Sequence, residues 1–93
     1  MTRESNIEKY LVKQIKAIGG EIRKVKWINR NGAPDRVVWV KGGTQVWVEL
    51  KAPGKAAEPH QKREHKRMRA MGQVVAVIDS FELVDALVMV LQP

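Results

Sequence analysis

Asp35-Arg36-Val37-Val38-Trp39-Val40-Lys41-Gly42-Gly43-Thr44-Gln45-Val46-Trp47-Val48-Glu49-Leu50-Lys51 is the stretch whose reading decides the fold. Two runs rich in β-branched and aromatic residues flank a glycine pair, which is the composition of two strands joined by a tight reversal, so the stretch is a predicted β-hairpin. Strand alternation puts Trp47, Glu49 and Lys51 on one face and Val46, Val48 and Leu50 on the other, with Glu49 and Lys51 about 7 Å apart. Asp35 opens the partner strand at the same end of the hairpin, so two acids and an amine converge there. The turn can hold two, three or four residues. A three-residue turn, pairing Asp35 with Lys51 and Val37 with Glu49, puts both acids on one face. The other two do not, unless a bulge near Asp35 restores it.

Upstream, Ile7, Leu11, Ile15 and Ile18 recur at helical spacing until Gly19-Gly20, and Ser5-Asn6-Ile7-Glu8 has the form of a capping box opening that helix. Glu8 also shares a spacing with Val12 and Ile15 that turns it inward, so its capping and core-facing readings stand side by side. Glu21 to Ile28 mixes β-branched residues with Lys and Arg and is predicted to be a half-wet strand. Asn29-Arg30-Asn31-Gly32-Ala33-Pro34 is a loop. Downstream, Pro53 and Gly54 end the hairpin's second strand, and Pro59 suits the first position of a helix that Gly72 stops. Val74-Val75-Ala76-Val77-Ile78 is a short, wholly apolar run, expected inside the sheet and covered on both faces. Asp79 or Ser80 can cap a last helix whose apolar residues, from Leu83 to Leu91, cover nearly its whole circumference. A small domain buries only one side of such a helix, and the rest invites a partner. The order is αβββαβα, a mixed α/β sheet flanked by helices in one domain over residues 1–93.

Composition narrows the partner. Lys and Arg total 17 against 10 Asp and Glu in 93 residues, a net charge of +7 that favours a polyanion, with nucleic acid first and an anionic membrane surface second. The absence of cysteine removes disulfides, thiolate zinc sites and thiol nucleophiles together. With no apolar signal core at the start and no membrane-length apolar run, a cytoplasmic protein is expected. Gly54-Lys55 does not make a triphosphate loop, because Glu49 stands where the first glycine belongs and Ala56 replaces the Ser or Thr. Lys62, Arg63, Lys66, Arg67 and Arg69 cover the outer faces of the second helix and, with Arg23, Lys24, Lys26 and Arg30, form candidate contacts to a DNA backbone. His60 and His65 are too poorly spaced to share a metal and are expected to be solvated or to touch phosphate. Trp27, Trp39 and Trp47 are expected to pack on strands rather than stack on bases. Gln61 shares the one inward stripe of its helix with His65, Met68 and Met71.

Two carboxylates are hard oxygen donors suited to Mg²⁺ or Mn²⁺, and a neighbouring lysine can position water or neutralise charge at a phosphoryl transition state. Gly32-Ala33-Pro34-Asp35, Val48-Glu49-Leu50-Lys51 and Gln61 on the next helix together resemble the PD-(D/E)XK nuclease signature in its virus-type replication-repair (VRR-NUC) form, over essentially the whole chain. The resemblance implies a restriction-endonuclease-like core in which Asp35, Glu49 and the backbone carbonyl of Leu50 hold Mg²⁺ or Mn²⁺ and Lys51 assists the water. Glu8 would match the family's acidic residue on the first helix, as a further catalytic or metal-binding group, and Gln61 its polar residue after the catalytic strand. It further implies DNA phosphodiester hydrolysis by a homodimer selective for branched, flap or junction DNA, in bacterial or phage-infected cells. The competing classes are a non-catalytic nucleic-acid-binding module and an interaction protein whose last helix docks on a larger enzyme.

Overall fold

The computed structural model describes residues 3–92, and its elements follow the expected order: α1 (Glu4–Ala17), β1 (Glu21–Lys24), β2 (Arg36–Trp39), β3 (Val46–Leu50), α2 (Pro59–Ala70), β4 (Val74–Ile78) and α3 (Phe81–Leu91). The four strands form one sheet in the order β1-β2-β3-β4. The first two pairings are antiparallel and β3–β4 is parallel, which the α2 crossover makes possible.

The strand pattern sorts the chain into two layers. Val38, Val46, Val48, Leu50 and Ile78 project to one face, where Ile7, Leu11 and Ile15 of α1 and Val84, Leu87 and Leu91 of α3 close over them in a single apolar core. Each such side chain, fully buried, contributes about 1.5–3 kcal/mol. Tyr10 joins the two covering helices, since its hydroxyl donates to Asp85 at 2.6 Å and its ring packs on Phe81. The opposite face carries Val37, Trp47, Glu49 and Val75, and α2 lies across it with Glu64, His65 and Met68 buried.

Three expectations are corrected. Helix α1 starts at Glu4 with Arg3 as its N-cap residue and no side-chain cap, so Ser5 lies inside the helix and no capping box forms there. Strand β1 stops at Lys24 rather than reaching Ile28, which is 85% exposed and is followed by Asn29 in the left-handed region at φ 56°. Strand β4 is an edge strand, not an interior one. Its apolar run still has a cause, because α2 shelters one face and α3 the other: Val75 and Ile78 are buried while Val74, at the rim, is exposed. Helix α3 opens as expected, with Ser80 Oγ accepting from the Leu83 N–H at 3.1 Å, and Pro59 starts α2.

Candidate active site

The hairpin register is Arg36↔Val48, Val37↔Trp47 and Val38↔Val46, with Gly43 N–H donating to the Val40 carbonyl at 3.0 Å across the turn. Of the registers that the sequence left open, the one pairing Asp35 with Lys51 and Val37 with Glu49 differs from the observed one by two residues. A shift of two preserves the face of every side chain, so the acids stay on the same side of the sheet. Extending the observed register by one residue sets Asp35 directly opposite Glu49.

Asp35 lies just outside the ladder but continues it, because its carbonyl accepts from the Val25 N–H at 2.8 Å, in line with the Lys24↔Arg36 pair. That bond turns the Asp35 peptide groups toward β1 and away from β3, so Asp35 and Glu49 form a non-hydrogen-bonded pair. Side chains approach most closely in such pairs, with Cα atoms about 4.5 Å apart. The same alternation frees a third oxygen. Lys51 N–H donates to the Ile78 carbonyl across β3–β4, which points the peptide groups of Leu50 toward β2. Carried two residues past the Arg36↔Val48 pair, the same register sets Pro34, which has no N–H to give, opposite Leu50.

The loop leading to Asp35 is held rigidly. Pro34 is buried, and its carbonyl accepts from Trp27 Nε1 at 2.8 Å while Trp27 packs against Trp47 with ring centroids 5.1 Å apart. Gly32, at φ +84°, lies against the first turn of α2 so closely that a Cβ would fall 2.7 Å from the His60 carbonyl oxygen. Trp27 thus belongs to this loop rather than to a strand.

Around Glu49 the electrostatics are those of a strained carboxylate. Only 9% of the residue is exposed, and burial pushes its pKa up to about 7, with Asp35 and Glu4 adding to the rise and Lys51 and Arg36 opposing it. Gln61 Nε2 lies 3.4 Å from Glu49 Oε2, while Gln61 Oε1 accepts from the Glu58 N–H at 2.8 Å, so the amide serves α2's first turn and the acid together.

Glu8 is tied to the site through a guanidinium. Its Oε2 accepts from Arg36 at 2.7 Å, and the same guanidinium binds Asp35 Oδ1 at 2.6 Å, so Glu8 reaches the site through Arg36. The helix α1 acid whose charge acts on Glu49 is Glu4, one turn earlier. Glu4 and Arg36 were missed in the sequence; the i, i+4 spacing of Glu4 and Glu8 was the available signal. His65 is also corrected, since it is 1% exposed rather than solvated, with Nε2 3.5 Å from Glu49 Oε1. Its spacing from Gln61 and Met68 already pointed it inward, although Met71, beyond the helix end, is 80% exposed.

Two grooves flank the acids. One, of about 520 Å³, is lined by Lys24, Val25, Lys26, Trp27 and Asp35. The other, of about 460 Å³, includes Lys55, Lys62, His65, Arg69 and Asp79 in its wall. Lys62, Arg63 and Lys66 are exposed on α2. Arg30 and Arg67 instead clasp the buried Glu64, at 3.4 and 3.1 Å.

No protein-family model matches the chain. A protein of Acyrthosiphon pisum secondary endosymbiont phage 1 named "Putative nuclease p44" is 45% identical over 83 residues, 89% of each chain. A solved structure titled "VRR_NUC domain" is 39% identical, with a TM-score of 0.84 over 96% of this chain and 97% of that one. This chain belongs to the VRR_NUC family of nucleases. Its αβββαβα order and mixed sheet are the family's restriction-endonuclease-like fold, and the Pro34-Asp35 and Glu49-Leu50-Lys51 segments that carry the VRR_NUC resemblance meet at one end of the β2–β3 pair. Among the described residues, no helix is long and apolar enough to cross a membrane.

Proposed function

We propose that this chain is a divalent-metal-dependent deoxyribonuclease that hydrolyses phosphodiester bonds at Asp35, Glu49 and Lys51. The observation that carries this reading is the Arg36↔Val48 register, which, carried one residue further, sets Asp35 opposite Glu49 on one face of the sheet. Among the described residues no three His, Asp or Glu side chains converge tightly enough to hold an ion. The groups that would hold the ion are the two carboxylates and the Leu50 carbonyl. Such a set of hard oxygens fits Mg²⁺ or Mn²⁺ and not the nitrogen and sulfur donors typical of zinc.

A bound Mg²⁺ or Mn²⁺ supplies Lewis-acid polarisation of the scissile phosphoryl group and a more acidic water. The chain supplies the rest. Arg36 fixes Asp35 from the side, and Gln61 steadies Glu49 from α2. Lys51 follows Glu49 on the same face and presents its ammonium to the charge that develops on the transferring oxygens. The two grooves give the strand a path past the acids: Lys24 and Lys26 on the Asp35 side, Lys55, Lys62 and Arg69 on the His65 side. Lysine contacts to phosphate carry no base information, which favours selection of branched, flap or junction DNA by shape over selection by sequence. A homodimer is part of the same reading, since Val74, Leu83, Met89 and Val90 leave apolar surface uncovered along β4 and α3.

The test is cleavage of a labelled flap or four-way junction with Mn²⁺. Activity is expected to stop with EDTA, and to be lost in Glu49→Ala and Lys51→Ala while DNA binding persists. Cleavage that survives Asp35→Ala and Glu49→Ala together overturns the assignment. Binding without cleavage in the wild type makes the chain a nucleic-acid-binding module instead.

A further inference from the structure

The buried face under α2 contains one polar atom without a partner. His65 Nε2 is sealed from solvent and makes no hydrogen bond among the described residues, although a buried polar nitrogen left unpaired costs about 1–3 kcal/mol. Packing alone does not account for an imidazole here, because an apolar side chain of similar size would fill the space without that cost. The neighbour that Nε2 faces is Glu49 Oε1, at 3.5 Å, slightly too far for a formed N–H···O bond. A neutral imidazole has one N–H to give.

The other oxygen of Glu49 is met from the same helix. Gln61 stands one turn before His65, with Nε2 at 3.4 Å from Oε2. Helix α2 therefore aims two nitrogens, four residues apart, at the two oxygens of one carboxylate. Gln61 is anchored by the Glu58 N–H, whereas the His65 atom that faces Glu49 is anchored by nothing.

We propose that His65 is a positioning residue, whose Nε2–H closes onto Glu49 Oε1 when a divalent cation is drawn to that carboxylate and holds it in the orientation that binds the cation. The inference rests on the metal-dependent reading of Asp35 and Glu49. It gives the buried nitrogen its partner in the loaded state and leaves it unpaired otherwise. Groups that orient a metal-binding carboxylate in this way typically change metal affinity or activity about 10–100-fold when removed.

The experiment compares His65→Leu, which keeps bulk and removes the donor, with His65→Gln, whose side-chain N–H can reach the Nε2 position, and with Glu49→Gln. Mn²⁺ affinity is measured by calorimetry without DNA, and kcat and KM on flap DNA with Mn²⁺. His65→Leu is expected to bind Mn²⁺ about 10–100-fold more weakly and to lose kcat with little change in KM for DNA, and His65→Gln to recover most of both. In wild-type protein the His65 Nε2–H signal in proton–nitrogen spectra should move downfield when Mg²⁺ is added, a readout that stands even if the leucine variant fails to fold. Wild-type Mn²⁺ affinity and kcat in a folded His65→Leu, or a Nε2–H signal indifferent to Mg²⁺, overturn the role of His65 when Glu49→Gln is impaired. Undiminished Mn²⁺ affinity in Glu49→Gln overturns the metal site itself.

Discussion

At the residue scale, the chemistry of the site turns on how Glu49 carries a charge that its surroundings disfavour. Its pKa of about 7 exceeds its ordinary 4.5, chiefly through burial. The folded protein therefore holds a proton between those two pH values that the unfolded chain releases, and stability without metal falls as pH rises through this window, by roughly 3 kcal/mol in total. Glu49→Gln removes the dependence: it should melt above wild type at pH 8 and level with it at pH 4.5 in EDTA. Excess Mn²⁺ at pH 8 should then raise the wild-type melting temperature and leave the variant unmoved, because only the carboxylate gains from the cation. A wild-type melting curve indifferent to pH between 5 and 7.5 would contradict the assignment of this proton. Arg36 is the second sensitive residue, with its side chain 11% exposed and bonded to Asp35 and Glu8 together. Arg36→Met leaves two acids facing each other without their cation, and should cost about 1–2 kcal/mol in denaturant unfolding, since both carboxylates keep some solvent, and lower kcat through a misplaced Asp35.

At the element scale, the candidate site is set by where backbones meet. Gly32 is the clearest case: its positive φ and its seat against the His60 carbonyl fix the loop that delivers Pro34 and Asp35 onto the start of α2. Gly32→Ala combines left-handed strain with a backbone collision, and is expected to cost about 2–3 kcal/mol and reduce cleavage more than DNA binding. Equal thermal stability in the variant would mean that the loop adapts freely. Much of this was legible in the sequence because the α1 stripe, the glycine-paired hairpin, Pro59 and Ser80 are local signals read within a few residues. Neither the hairpin's register nor its face parity was legible: turns of two, three or four residues all fit around Gly42-Gly43, and only the folded sheet, packed between its helices, selects one. The edge position of β4 was hidden because a run covered by helices on both faces looks the same inside a sheet and at its rim. The effect of Glu4 on Glu49, the Arg36–Glu8 bond and the approach of His65 to Glu49 escaped because these partners are distant in sequence, and only the folded sheet end brings them together.

At the scale of the whole molecule, two surfaces remain to be assigned, one charged and one apolar. The exposed Lys62, Arg63 and Lys66 on α2, with Lys24 and Lys26 beside Asp35, should bind DNA mainly by displacing counterions. Each alanine at a lysine that touches phosphate is then expected to reduce the slope of log affinity against log salt by about 0.9, with no change in base preference. The apolar surface follows from α3, whose circumference is nearly all hydrophobic while only Val84, Leu87 and Leu91 enter the core. Met89 and Val90 remain 75% and 77% exposed, and Leu83 and the edge residue Val74 43% and 45%. A contiguous strip of this kind, beside the unpaired edge of β4, is better covered by another chain than left in water. On the proposed homodimer reading, a second copy meeting the first across a two-fold axis would cover both strips at once. Wild-type protein should therefore sediment as a dimer, and Leu83→Glu with Val90→Glu as a monomer of unchanged fold by circular dichroism. The monomer should keep its Mn²⁺ affinity, because Asp35, Glu49 and Leu50 come from one chain, yet lose paired cuts on a four-way junction and release singly nicked product. A wild-type monomer at the highest attainable concentration would assign the strip to a different partner and make paired cutting by this chain alone untenable.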